Sequence, residues 1–104
     1  MRAILIDVKN QVIKEVEHDD TLDNIYELLD CRLFDVCSID NVNSIFLDDE
    51  GLLRNDVRMF DYFTKDLKYR IAGNGLILGL DVETGESIST TLNLDEVKNN
   101  VRFV

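Results

Sequence analysis

The sequence has no proline, no tryptophan, one histidine and two cysteines. Without proline-rich or other low-complexity stretches there is no linker, and no internal repeat appears, so residues 1–104 read as a single domain. One histidine restricts Ser-His-Asp and Cys-His chemistry to arrangements that use His18. It sits between Glu17 and Asp19 in a predicted connection, where it reads as an exposed, ordinary side chain. Cys31 and Cys37 have neither a second pair nor a histidine cluster, which excludes a zinc framework and a disulfide-stapled module. They read as two buried, reduced thiols, one in a helix and one in the following strand. No run approaches the roughly 18 apolar residues of a membrane span, and the first residues lack a signal-peptide pattern, so a cytoplasmic setting is expected. No nucleophile, base and stabiliser converge in the sequence. The expectation is a protein that is not an enzyme and uses no cofactor or metal.

Basic residues are also scarce, with 11 Lys plus Arg against 21 Asp plus Glu and a net charge of −10. The deficit is local. Residues 1–16 carry +1, residues 51–104 carry −1, and residues 17–50 carry eleven acids against Arg32 alone. Such a segment repels nucleic-acid phosphates and anionic lipid surfaces. Its expected partners are basic surfaces or cations; the plainer reading is a solvated face that keeps a small protein soluble.

What is present is hydrophobic patterning, with 45% hydrophobic residues, enough for one modest core. Met1–Val8 and Gln11–Val16 read as strands around Lys9-Asn10, a hairpin. Asp20 or Thr21 supplies a helix N-cap, and Leu22, Ile25, Leu29 and Leu33 follow at helical spacing, which predicts a helix over roughly 21–32. Asp20, Asp23, Glu27 and Asp30 fall on another arc of that helix, separated axially by about 4.5–6 Å. The like-charged Asp23–Glu27 pair costs a few tenths of a kcal/mol, a penalty that either serves recognition or reflects neutral drift.

Phe34–Ile39 and Ser44–Leu47 read as strands across Asp40-Asn41-Val42-Asn43. Asp48-Asp49-Glu50-Gly51 reads as a solvated turn with Gly51 at positive φ. Its adjacent acids lack the spacing of a cation-binding loop. Val57–Phe63 fits strand or helix. Tyr69–Val82 is the clearest β region, with Leu76, Leu78, Leu80 and Val82 on one face and Ile77 on the other. Gly73-Asn74-Gly75 lacks the lysine of a phosphate loop and reads as a turn or bulge entering a strand. Ser87–Leu92 returns as a strand. Asn93 with Glu96 starts a short helix that buries Leu94, Val97 and Val101, and Phe103 and Val104 close the fold. The expected class is α+β: a hairpin and helix, a mostly antiparallel sheet, then a short C-terminal helix. Val16–Leu22 falls where β-grasp domains pass from hairpin to helix, a resemblance confined to the first third of the chain.

Longer stretches resemble a family of small proteins of unknown function carried by phages and other bacterial mobile elements. Ile45-Phe46-Leu47-Asp48-Asp49-Glu50-Gly51-Leu52, with Asn55 beyond it, is similar to that family's strand and acidic turn. Ile71-Ala72-Gly73-Asn74-Gly75-Leu76-Ile77-Leu78-Gly79 is similar to its Ile-x-Gly-x-x-Leu-Ile-x-Gly strand, and Met1–Asp7 and the closing helix also fit. A proline expected before Asn55 is absent. The resemblance implies a bacterial cytoplasm and a mobile genome, and carries over no functional residue.

The leading expectation for function is an interaction protein. Asp20, Asp23, Glu27, Asp30, Asp35, Asp48, Asp49 and Glu50 would occupy a basic, nucleic-acid-binding surface of a host protein, as a DNA-mimic inhibitor of a defence nuclease would, with no direct nucleic-acid or membrane contact. The alternative is a nucleotide-sequestering protein with its ligand near Gly73–Gly75, Arg54, Arg58 and Arg70. The aromatics with Arg58, Lys65, Lys68 and Arg70 read as core packing and local charge balance rather than a nucleic-acid platform.

Overall fold

In the computed structural model, which describes residues 1–54 and 57–104, two β-sheets and two short helices form three layers. The elements in chain order are β1 (Arg2–Asp7), β2 (Val12–Glu17), α1 (Leu22–Leu29), β3 (Phe34–Ser38), β4 (Asn43–Asp48), a 3₁₀ turn (Gly51–Leu53), β5 (Met59–Phe63), β6 (Lys68–Ala72), β7 (Gly75–Leu80), β8 (Ser87–Ile88), α2 (Leu94–Asn100) and β9 (Val101–Phe103). The larger sheet runs β2-β1-β7-β4-β3, with β8 paired to the end of β7. The smaller runs β6-β5-β9. Every strand pair described is antiparallel. The β-grasp likeness is confined to the opening hairpin and α1.

The alternation of side chains along the two central strands explains the layering. Ala3 and Leu5 on β1, with Leu76 and Leu78 on β7, pack beneath Ile25 and Leu29 of α1. Ile4, Ile6 and Ile77 face the other way and meet Phe60, Tyr62 and Ile71 of the smaller sheet and Val97 of α2. A strand buried on both faces reads as an unbroken apolar run, which is the pattern of Ala3–Ile6 and Leu76–Leu78.

Several expectations need correction. α1 stops at Leu29, and Asp30 caps it in the left-handed conformation at φ 53°. Cys31 therefore lies beyond the helix, and both free cysteines are half-buried rather than fully enclosed. Leu33, expected on the apolar face of the helix, is 50% exposed, and Leu22 is 61% exposed. Tyr69–Val82 is not one β element. The chain leaves the smaller sheet after Ala72, turns through Gly73 at φ 89°, and enters the larger sheet at Gly75. Leu80 is exposed at the end of β7, and Val82 lies beyond it, also exposed. Val57–Phe63 resolves as strand β5 from Met59, and the expected Ser87–Leu92 strand shrinks to two residues. Gly51 is not at positive φ. A side chain there would run into the Ala72 carbonyl oxygen, so close backbone approach accounts for the glycine. Asn93 and Glu96 do form a reciprocal capping box on α2.

Candidate functional site

Thr21 is the N-cap of α1, its hydroxyl accepting from the Asn24 amide. Asp19 in turn accepts from the Thr21 amide at 3.0 Å and its hydroxyl at 2.6 Å, and these bonds hold the Asp19 carboxyl below the usual range. Asp20 follows in the left-handed conformation, and Asp23 and Glu27 are exposed on the helix. At i and i+4 their carboxylates are neighbours, about 6 Å apart along the axis. Asp30 is exposed at the far end. These residues place acidic side chains before, along and after one short helix. Among the described residues, Asp20, Asp23, Glu27 and Asp30 have no cationic partner.

The other acids do not extend this row as the sequence suggests. Asp35 stands opposite Leu47 in register. Leu47 packs toward the smaller sheet, whereas Phe34 packs toward α1. Asp35 therefore points from the sheet face opposite the helix, where it accepts from the Val36 amide at 2.8 Å. Asp48 is not a solvated turn residue. Its side chain is 3% exposed, forms an ion pair with Arg54 at 2.9 Å and accepts from the Glu50 amide. Glu50 takes a two-point grip from Arg32, at 2.7 and 2.9 Å, which holds its carboxyl below the usual range. Asp49 is exposed. The sequence does carry a signal for Asp48: Phe46 and Asp48 are two apart on β4 and share the face that α1 covers.

His18 also departs from expectation. It is 1% exposed, and its Nδ1 lies 2.6 Å from Asn24 Oδ1. That oxygen is an acceptor and also takes the Asp19 amide, so the ring is held with its proton on Nδ1. The His18 amide donates to the Met1 carbonyl, and the N-terminal ammonium donates to the His18 carbonyl and pairs with Glu17. His18 thus ties the chain start to the β2–α1 connection. No local pattern in the sequence marks this role.

Where the β1–β2 turn, the end of α1 and the β6–β7 turn meet, they enclose a cleft of about 540 Å³. Asp7, Lys9 and Asn10 form one wall; Asp48, Arg54 and Arg58 form another; Val8, Leu29 and Val57 give it apolar surface. Asn74 ties the β1–β2 turn to α1, accepting from the Val8 amide and donating to the Leu28 carbonyl. Gly73 donates its amide to the Arg58 carbonyl at 2.9 Å. Arg54 and Asp30 separate this cleft from a second one of about 520 Å³ beside Tyr26, Cys31 and Leu53. Arg70, expected with Arg54 and Arg58, is elsewhere: it grips Asp61 across β5 and β6 at 2.8 and 3.1 Å. Among the described residues, no three His, Cys, Asp or Glu side chains gather as a metal site. Among the same residues, no helix is long and apolar enough to cross a membrane. Asn55, part of the motif resemblance, lies outside the described residues.

A family model described as a domain of unknown function, DUF3846, matches residues 1–102, consistent with the motif resemblance along the chain. No curated protein and no solved structure matches.

Proposed function

We propose that this chain, which belongs to the DUF3846 family, is a binding domain whose acidic α1 face docks on a basic surface of a partner protein. The observation that carries this reading is the charge along α1. Asp20, Asp23, Glu27 and Asp30 are exposed and have no cationic partner among the described residues, while nearby Arg32 and Arg54 are engaged by Glu50 and Asp48. A short helix clamped on a sheet holds the Asp23 and Glu27 carboxylates at fixed spacing, with Asp20 and Asp30 flanking its ends, and a surface that competes with a phosphate backbone requires such a rigid acidic element. In the bacterial cytoplasm implied by the motif resemblance, partners of suitable chemistry are nucleic-acid-binding enzymes, including defence nucleases. Binding is by competition, with no covalent step. Asp35 and Asp48 are excluded from the docking face, the first by direction and the second by burial.

The test is capture from nuclease-treated bacterial lysate with the parent and with the variant Asp23→Lys/Glu27→Lys/Asp30→Lys, followed by elution with duplex DNA. The parent is expected to retain a protein that DNA displaces. The variant, checked for an intact cooperative melt, is expected to lose it. Equal retention by a folded variant, or a captured protein that DNA fails to displace, contradicts the reading.

A further inference from the structure

The cleft at the β6–β7 turn borders the acidic helix face at Asp30 and otherwise has a different chemistry. Asp7 is occupied by the Asn10 amide and side chain at 3.2 and 2.9 Å, and Asp48 by Arg54 and the Glu50 amide. Among the described residues, Lys9 and Arg58 make no ion pair. In a chain of net charge −10, the cleft is thus one place where cations face solvent unspent.

Arg54 adds a prepared donor. A single nitrogen, Nη2, makes both of its contacts, to the Asp48 carboxylate at 2.9 Å and to the Asp30 carbonyl at 2.8 Å. Nε and Nη1 are left over on two different edges of the held guanidinium, so each offers a single N–H to an oxyanion. The Asp30 carboxylate and the Asn10 and Asn74 amides add hydrogen-bonding positions, and Val8, Leu29 and Val57 add apolar wall. The volume falls within the range of about 300–1,000 Å³ typical of small-molecule sites.

We propose that this cleft binds a small phosphorylated molecule of mononucleotide size. Lys9, Arg54 and Arg58 receive its phosphate. The Asp30 carboxylate and the asparagine amides receive hydroxyl or amino groups of its body, which rests on Val8, Leu29 and Val57. Cations alone would suit any anion; acceptors and apolar surface in the same cleft select a ligand with a hydrogen-bonding, partly apolar body.

The experiment measures melting temperature and titration calorimetry on the full chain. The probes are the four ribonucleoside monophosphates, the matching nucleosides and inorganic phosphate. A ligand that binds only the native state raises the melting temperature with concentration. At least one monophosphate is expected to bind saturably, and more tightly than either its nucleoside or free phosphate. Lys9→Gln and Arg58→Gln alter exposed side chains, so the ligand-free melt is expected to hold while affinity falls about tenfold for each charge removed. The proposal is overturned if no monophosphate binds at millimolar concentration, if inorganic phosphate binds as tightly as the nucleotides, or if both variants bind like the parent. Asp30 borders both surfaces, but neither Lys9 nor Arg58 belongs to the α1 face, so failure of this proposal is distinguishable from failure of the partner-docking reading.

Discussion

Asp61 shows how a single acid is fitted into this fold. It sits on β5 opposite Arg70 on one side and Arg102 on the other, and is almost fully buried. Hydrogen bonds from the Arg70 guanidinium hold its carboxyl below the ordinary carboxylate range. A group whose folded pKa is depressed contributes stability that is complete above its unfolded pKa and is lost as pH falls through the folded one. Asp61→Asn is therefore expected to lower the melting temperature at neutral pH. It is also expected to flatten the loss of stability on acidification from about pH 5 to about pH 2, the interval around a depressed Asp pKa. Thermal melts across that interval check both effects, and a parallel acid limb in parent and variant would assign the dependence to other carboxylates. Residues of this kind were the hardest to read from sequence. His18 and Asp48 lie in or beside acidic stretches and Asp61 stands alone in an aromatic run, and the burial of all three depends on partners distant in the chain or on sheet register, which composition does not carry.

Element α1 was legible in its existence and start but not in its end. Of the two cap candidates, Asp20 and Thr21, the structure uses Thr21, and Asp23 falls in the first turn, because capping and dipole effects are local. The spacing of Leu22, Ile25, Leu29 and Leu33 suggested a longer helix, because periodicity does not reveal that the chain must turn at Asp30 to begin β3. Eight residues are fewer than an isolated helix needs, so α1 depends on Ile25 and Leu29 packing on β1 and β7. Two substitutions separate the contributions at its ends. Thr21→Ala removes the cap and is expected to cost about 1 kcal/mol. Asp30→Gly relieves a left-handed non-glycine residue and is expected to stabilise by up to about 1 kcal/mol. Urea denaturation of both variants gives the comparison, and a destabilised Asp30→Gly would show that the Asp30 side chain contributes more to the fold than its backbone strain costs. The β6–β7 segment has a similar lesson. Its strand character was plain, but the change of sheet was hidden in Gly73-Asn74-Gly75, which read only as a turn or bulge. At Gly75 a side chain would crowd the Phe60 ring at 2.8 Å, so the glycine is required by the packing of one sheet on the other.

Across the whole molecule, the sequence located the charge imbalance but not its direction. Residues 17–50 wind through α1, β3 and β4, and so place acids on both sides of the larger sheet. Arg32 and Arg54 then neutralise Glu50 and Asp48. What is left is a smaller acidic row along α1, with the cleft's basic residues gathered by turns far apart in sequence. Docking through the exposed α1 row is sensitive to salt, because exposed charges are screened over a Debye length of about 10 Å at 0.1 M salt. The central claim is tested most directly by titrating the DNA-displaceable partner, once captured, against parent and Asp23→Lys/Glu27→Lys/Asp30→Lys protein at a series of salt concentrations. The account predicts that parent affinity falls steeply as salt rises and that the variant binds weakly throughout. Parent affinity that is insensitive to salt, or a variant that follows the parent curve, would contradict it.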